Sequence, residues 1–252
     1  MTAPGPGHAS AHQSDARVRF EWGPMGLRAL ASEAEVVVVV DVLSFTTAVD
    51  VALGRGAVVF PYKWHDGSER AYAEENDAVL AGPRDGDGWS LSPASLAEIP
   101  VGTRLVLPSP NGSALAFGAA EAGAAEVVAA CLRNAAAVGA AYADRGDTVA
   151  VIAAGERWRG ATGPMRVALE DLLGAGAVLA AFDHDDLSPE ARAAVATWRE
   201  AEPDLRARLL DSTSGRELVA GGWADDVELA AHAHVSDVVP RLDVDRFVDA
   251  QA

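Results

Sequence analysis

The chain is short of cysteine, of basic residues and of long apolar runs, and each shortage argues against a class of protein. A single cysteine, Cys131, among 252 residues excludes an internal disulfide framework and is typical of a reducing compartment. The 20 lysines and arginines are outnumbered by 37 aspartates and glutamates, which gives a formal net charge of −17. This charge argues against nucleic acid or an anionic membrane as the main partner, because both are bound through basic surfaces.

Signals for membranes and for common cofactors are missing as well. No apolar run approaches the ~20 residues of a membrane span, and the first residues lack the apolar core of a signal peptide. We therefore expect a cytoplasmic protein with no membrane partner. Neither a glycine-rich dinucleotide fingerprint nor a P-loop is present. The phosphate loop of cysteine phosphatases is also missing, because Ala137 stands at its arginine position, so Cys131 is interpreted as structural.

What the sequence does contain is a series of short apolar segments that alternate with helical ones. Five consecutive valines, Val36–Val40, are typical of a strand that is buried on both faces. Strand-like segments that alternate with helices predict βαβ units. We expect a three-layer α/β/α fold with a mostly parallel or mixed sheet. Residues 1–16 are predicted to be a disordered tail and residues 17–252 one domain, with two α/β lobes around a site as an open alternative.

Glycine–alanine segments divide the predicted elements from one another. They lie at residues 54–57, 122–125 and 174–177, and each is predicted to end a helix before the next strand. The third one predicts a helix over 166–173 and a strand over 177–182. Pro61 is predicted to stop the strand that begins at Ala57. The alternation over 237–247 predicts an edge strand at the end of the domain.

A polar segment follows the five valines directly. Asp41 ends the predicted strand, and Ser44, Thr46 and Thr47 stand at the start of the next helix. Open α/β sheets bind ligands at the carboxyl ends of their strands, and helix starts favour anions such as phosphate. A carboxylate suited to Mg²⁺ beside donors suited to phosphate predicts a metal-assisted phosphate site. A helix cap is the structural alternative for Asp41.

Two further strand ends carry candidate phosphate ligands. Asn111, Gly112 and Ser113 form a turn after one strand, where an amide and backbone N–H groups are available. Arg133 and Asn134 follow another strand, and an arginine fork suits phosphate or sulfonate. Ordinary surface polarity is the alternative reading for the second pair.

Four motifs in order carry a family resemblance: DVLSFTTA at 41–48, PNGS at 110–113, LRNA at 132–135 and LEDLLGAGAV at 169–178. Together they resemble the 2-phosphosulfolactate phosphatase family. The resemblance implies hydrolysis of the phosphate monoester 2-phospho-3-sulfolactate to 3-sulfolactate and phosphate, a step towards coenzyme M, with Mg²⁺. It makes residues 17–252 a phosphatase domain whose partner is a small phosphorylated acid. The oligomeric state stays open, and a homodimer is one option.

The resemblance adds Glu170 and Asp171 to the site, since it turns an otherwise ordinary pair of helix charges into candidate metal ligands. Adjacent residues on a helix point ~100° apart, so one would coordinate the metal while the other orients water or a neighbour. We expect Asp41 with Glu170 or Asp171 to hold Mg²⁺. Thr46, Thr47 and Asn111 would hold phosphoryl oxygens. Attack by water and attack by Asp41 both remain open.

The sequence departs from the family at Ser44, where the family usually has arginine. This puts the substrate in doubt more than the fold. Five arginines are candidates to compensate: Arg84, Arg133, Arg157, Arg159 and Arg166. A phosphatase for another phosphorylated hydroxy acid and a non-catalytic binder of a phosphorylated metabolite are the alternative functions.

Overall fold

A mixed β-sheet with helices on both faces forms the centre of the molecule. The structure is a computed structural model that describes residues 10–63, 66–158 and 163–251. The strands are β1 Val18–Trp22, β2 Val36–Val40, β3 Val58–Tyr62, β4 Val79–Leu80, β5 Arg104–Pro108, β6 Glu126–Ala130, β7 Val149–Ala153, β8 Glu156–Arg157, β9 Met165–Arg166, β10 Pro240–Asp243 and β11 Arg246–Asp249. The α-helices are α1 Gly23–Leu30, α2 Phe45–Gly54, α3 Ser68–Glu75, α4 Gly112–Glu121, α5 Ala135–Ala143, α6 Leu169–Leu179, α7 Pro189–Ala201, α8 Leu205–Asp211, α9 Thr213–Ala220 and α10 Ala224–Ala230.

The main sheet has nine strands in the order β1-β7-β2-β6-β10-β11-β3-β5-β4. Strands β1, β7, β2 and β6 are parallel neighbours, and so are β3, β5 and β4. The antiparallel pair β10 and β11 lies between these two groups. Strands β8 and β9 form a separate antiparallel pair beside it. The predicted three-layer α/β/α fold with a mixed sheet is confirmed.

The valines of β2 show why the sheet needs cover on both sides. Val36, Val38 and Val40 belong to one apolar cluster with α5, α6 and α7. Val37 and Val39 belong to the other cluster, with α1, α2 and α4. Every residue of β2 is therefore buried, as the absence of polar alternation predicts. None of the helices in the described part of the chain combines the length and the apolar character of a membrane span.

The region after β7 differs from the prediction. A helix over 166–173 and a strand over 177–182 were expected, but α6 continues through Gly174 and Gly176 to Leu179. A Cβ on Gly174 would lie 2.6 Å from Val42 Cγ2, and one on Gly176 would lie 2.7 Å from Trp198 Cβ. These two glycines let α6 approach the sheet and α7 closely, and they do not end the helix. Gly56 and Gly123, with φ of 80° and 93°, do follow helix ends.

The C-terminal segment also differs, because the predicted edge strand over 237–247 is instead the central hairpin of β10 and β11. Phe247 is fully buried, and its ring meets that of Phe45 at 6.1 Å. Strand β3 extends beyond Pro61 to Tyr62. Proline is tolerated there because β11 pairs with β3 at Val59, so no ladder bond from residue 61 is required on that side.

The predicted disordered tail lies partly outside the described residues. Residues 1–9 are not described, while Ser10–His12 form a 3-10 helix. Gln13 Nε2 donates a hydrogen bond to the Phe20 carbonyl at 2.9 Å. Gln13 and Ala16, whose carbonyl accepts from Arg19 Nε at 2.9 Å, therefore contact β1. The extent of disorder before residue 10 stays a prediction.

The close approach of α6 and α7 gives a stability prediction. We expect Gly176→Ala to lower the free energy of unfolding by about 1–3 kcal/mol, the usual cost of overpacking, although alanine is the better helix former. Gly54→Ala is the matched control, because its Cβ would meet Val238 Cγ2 at an ordinary 3.7 Å. Urea unfolding followed by circular dichroism measures both variants. Equal midpoints would contradict the packing of α6 on α7.

Candidate active site

Asp41 lies at the carboxyl end of β2, in a turn that Thr46 holds. The Asp41 backbone N–H donates to Thr46 Oγ1 at 3.1 Å, and Thr46 N and Oγ1 both donate to the Asp41 carbonyl at 2.8 Å. Thr47 Oγ1 donates to the Val42 carbonyl at 2.7 Å. Both threonines are fully buried and satisfied by backbone groups. They shape the turn and do not project a free hydroxyl toward a ligand.

The Asp41 carboxylate is directed toward the start of α4. A Cβ on Gly112 would lie 2.7 Å from Asp41 Oδ2, so glycine is required for the helix to come this close. Burial raises the pKa of Asp41 to about 7, with a further contribution from the charge of Glu156. Backbone N–H groups of Phe45 and Gly112 oppose this rise by hydrogen bonding to the carboxylate. The PNGS turn and the DVL segment thus meet at one point.

Asp171 ties the ends of two neighbouring strands together. Its Oδ1 accepts from Val42 N at 2.7 Å, and its Oδ2 accepts from Gly155 N at 2.8 Å. Burial, followed by the nearby charge of Asp41, raises its pKa well above the ordinary value. With both oxygens engaged by the backbone, Asp171 positions the residues after β2 and β7.

Glu170 is the member of the acidic pair that keeps an open oxygen. Only 1% of the residue is exposed, and among the described residues its Oε2 has no hydrogen-bond partner. Burial raises its pKa, and the charge of Glu156 adds to the rise. An unpaired buried carboxylate oxygen is costly unless a proton or a cation satisfies it.

Glu156 is a site residue that the sequence interpretation missed. It begins β8 just beyond β7 and lines a cleft of about 210 Å³ together with Asp41. Burial is the main cause that raises its pKa. The signal was present in the sequence, because Glu156 stands after the end of β7 much as Asp41 stands after the end of β2.

The cleft also contains polar groups suited to an anion. Its walls include Ser44, Leu91, Asn111 and Arg157. Asn111 Nδ2 donates to Glu156 Oε2 at 3.4 Å, and Arg157 Nε donates to Asn111 Oδ1 at 3.4 Å. A guanidinium is therefore held within reach of the acidic groups. Beside this cleft, Ser113 is buried, and its Oγ has no partner among the described residues.

The structure does not bring Arg133 and Asn134 to this cleft. Arg133 Nε donates to the buried Asp50 at 2.8 Å, and Arg133 lines a different cavity beside α2. Asn134 is fully buried; its Oδ1 accepts from Cys131 N at 2.8 Å and its Nδ2 donates to Val238 O at 3.2 Å. Both side chains are used to join β6 to neighbouring backbone and helix.

The five candidate arginines have different positions. Arg157 lines the cleft, and Arg84 Nη2 donates to Ser44 Oγ at 2.7 Å. Arg166 Nη2 donates to Glu217 Oε2 at 3.1 Å. Arg159 lies outside the described residues. Arg157 and Arg84 touch the cleft or its wall. Arg166 is paired with Glu156 across β8 and β9, and its charge opposes the rise in pKa that burial causes in Glu156 and Glu170.

The acidic cluster has the donor chemistry of a magnesium site. Beyond the effect of burial, the charge of Glu156 raises the pKa of both Asp41 and Glu170, and the charge of Glu170 raises that of Asp41, a repulsion that a bound cation would relieve. Among the residues that the structure describes, no three His, Cys, Asp or Glu side chains form an assembled metal-binding group. The open Oε2 of Glu170 and the all-oxygen donor set nevertheless fit a hard divalent cation.

The raised pKa of Asp41 predicts how the metal-free protein responds to pH. A carboxyl whose folded-state pKa is raised stabilises the fold at low pH and loses that contribution as pH rises from its unfolded value of 3.8 to about 7. We expect the free energy of unfolding without metal to fall over this range, by up to about 1.4 kcal/mol per pH unit for one proton. Asp41→Asn should show a shallower fall, and the exposed Asp204→Asn should retain the full one. Urea unfolding at several pH values measures the slopes; equal slopes for all three proteins would contradict the burial of Asp41.

Comparison with known proteins shows the family of the chain. The sequence model of a family described as 2-phosphosulpholactate phosphatase matches residues 26–245. A "Probable 2-phosphosulfolactate phosphatase" of Pseudothermotoga lettingae is 27% identical over 224 residues, which cover 86% of this chain and 93% of the relative. The "2-phosphosulfolactate phosphatase" of Methanothermobacter thermautotrophicus is 29% identical, with 81% and 84% covered, and a "Probable 2-phosphosulfolactate phosphatase" of Thermotoga petrophila is 30% identical, with 83% and 90% covered. The chain belongs to the 2-phosphosulfolactate phosphatase family.

Proposed function

We propose that this protein hydrolyses 2-phospho-3-sulfolactate to 3-sulfolactate and phosphate with the help of Mg²⁺. The family match over residues 26–245 supports the reaction class. One observation at the site carries the proposal: Asp41 and Glu156 line the same cleft as Arg157. Buried carboxylates beside a guanidinium are what a metal-assisted phosphoryl transfer requires.

Asp41, Glu156 and Glu170 are the residues proposed to hold the metal. The negative charge of Glu156 acts on both Asp41 and Glu170, and one oxygen of Glu170 has no hydrogen-bond partner among the described residues. When bound, Mg²⁺ would supply charge compensation for the phosphoryl oxygens as the ester bond breaks. Asp171 is assigned a positioning role in place of direct coordination, because both of its oxygens accept backbone N–H groups.

The other groups of the cleft are proposed to bind and orient the substrate. Arg157 would pair with a phosphoryl oxygen, and Asn111 would hold Arg157 and Glu156 in place through its amide. In the reaction, an oxygen nucleophile adds to phosphorus, the bond between phosphorus and the ester oxygen breaks, and that oxygen takes up a proton. If the nucleophile is water, its own proton balances the one that the ester oxygen takes up; if it is Asp41, water then hydrolyses the aspartyl phosphate, which releases phosphate and restores the carboxylate. The nucleophile is either Asp41 or a water that a carboxylate orients. Trapping of a phosphorylated Asp41 distinguishes the first route from the second.

Replacement of Asp41 tests the proposed reaction. We expect Asp41→Asn to reduce Mg²⁺-dependent phosphate release from 2-phosphosulfolactate by about 100-fold or more, because it removes a charge at the reacting group. The control Asp204→Asn changes an exposed aspartate in the same way and should retain wild-type activity. Phosphate release is measured with and without Mg²⁺, for 2-phosphosulfolactate and a small set of phosphorylated hydroxy acids.

The outcomes of this assay separate the alternatives. Release from another ester only would keep the reaction class and change the substrate. No release from any ester, with thermal stabilisation by those esters, would identify a binder. Wild-type turnover in Asp41→Asn would remove Asp41 from the site.

The metal assignment has a readout that does not depend on activity. We expect Mg²⁺ at 100 times its Kd to raise the free energy of unfolding of the wild type by about 2.7 kcal/mol. Glu156→Gln should lose much of this gain, because it removes a negatively charged oxygen donor. The exposed Glu202→Gln is the control and should retain the gain. Differential scanning calorimetry with Mg²⁺ or EDTA measures the effect, and an equal gain in Glu156→Gln would argue against Glu156 as a ligand.

A further inference from the structure

Arg84 is held beside the cleft by three different contacts. It lies in the loop that follows β4, and its Nη1 forms an ion pair with Asp226 of α10. Its Nη2 donates to Ser44 Oγ at 2.7 Å, and its guanidinium carbon lies 5.5 Å from the centre of the Trp223 ring. The side chain is only 17% exposed. The guanidinium is therefore fixed in direction before any ligand arrives.

Asp226 fastens the whole loop as well as Arg84. The residue is 1% exposed, and its Oδ1 accepts from Ser92 Oγ at 2.5 Å and from Ala94 N at 3.1 Å. Its Oδ2 is the atom that meets Arg84. One buried carboxylate thus connects both ends of the segment 84–94 to α10. This arrangement orients the arginine more firmly than an exposed ion pair would.

Arg84 stands between the Asp41 cleft and a larger cavity. That cavity holds about 550 Å³, and its walls include Arg70, Arg84 and Leu91. Leu91 lines both this cavity and the cleft that contains Asp41, and Ser44, which accepts from Arg84, lines the Asp41 cleft. Glu69 contributes the opposite charge at the wall, and it is engaged by the Gly67 N–H at 2.9 Å. A ligand whose phosphate lies at Asp41 can therefore extend past Ser44 toward Arg84.

We propose that Arg84 binds an anionic acid group, a carboxylate or sulfonate, that the substrate carries beside its phosphate ester, with Arg70 as a second cation of the same subsite. The inference rests on the proposed phosphatase function and names the group that decides substrate choice. Asp226 accepts from Nη1 and Ser44 accepts from Nη2, and because a guanidinium has five N–H donors, further donors are left for a ligand. A charge-assisted bond in a partly desolvated site is strong and directional.

The test compares an ester that carries the acid group with one that lacks it. We expect Arg84→Met to lower kcat/KM for 2-phosphosulfolactate by about 10- to 100-fold, mainly through a higher KM, since a binding contact is lost in both ground and transition states. Its kcat/KM for phenyl phosphate, which has no second acid group, should change by less than about threefold. 2-Phospholactate, which keeps the carboxylate and lacks the sulfonate, shows which of the two groups Arg84 binds.

Matched variants separate recognition from folding. Arg84→Lys retains the charge, and its KM for the acidic esters should lie between those of the wild type and of Arg84→Met. Arg104→Met is the control, because Arg104 also stacks on a ring, at 4.7 Å from Phe60, and bonds to the Asn76 carbonyl away from the cleft. Arg84→Met leaves the buried Asp226 without its cation, so the double variant Arg84→Met with Asp226→Asn is measured if the single one unfolds.

Each outcome decides the inference. An equal loss for phenyl phosphate and 2-phosphosulfolactate, or no loss for either, in a folded Arg84→Met protein would overturn the assignment of Arg84. If the wild type releases no phosphate from any ester, the proposed function fails by itself. Calorimetric titration of wild type and Arg84→Met with 2-phosphosulfolactate and phenyl phosphate then tests the subsite directly, with weaker binding of the acidic ester alone as the expected result.

Discussion

The burial of like charges at the carboxyl ends of β2 and β7 is the constraint on which the site depends. Asp41, Glu170 and Asp171 are each at most 6% exposed, and removal of carboxylates from water is expensive. For Asp171, hydrogen bonds from two backbone N–H groups offset part of this desolvation cost. The apolar clusters that cover both faces of the sheet supply the stability that offsets the remaining cost.

The site combines groups from the ends of the main sheet with groups from the segments beyond it. Asp41 stands at the end of β2, Glu170 and Asp171 stand at the start of α6, and Glu156 lies next to Arg157 in β8. Arg157 and Arg84 come from the segments that follow β7 and β4. In a chain with a net charge of −17, these local cations would offset the repulsion of the anionic substrate that the proposed function requires. In many enzymes, loops bind the substrate while a rigid scaffold holds the residues that carry out the reaction.

The sequence was informative where a local pattern has one physical solution. Five valines followed by Asp41 predict a doubly buried strand with a carboxylate at its end, and both are present. It was misleading where packing between distant segments decides. Gly174 and Gly176 resemble a helix end, but they serve contact with the sheet and α7. Arg133 follows a strand, as ligand-binding residues often do, but it forms an ion pair with Asp50 of α2.

The position of the hairpin β10–β11 has a consequence for how the chain folds. It lies between the two groups of parallel strands, pairing with β6 through Arg241 and Val128 and with β3 through Phe247 and Val59. These contacts join segments more than a hundred residues apart, a topology that slows folding. During synthesis, the two groups cannot be bridged until the last of these strands has left the ribosome. The sheet is therefore completed late in folding, and the strand ends that carry the site reach their final spacing only at that stage.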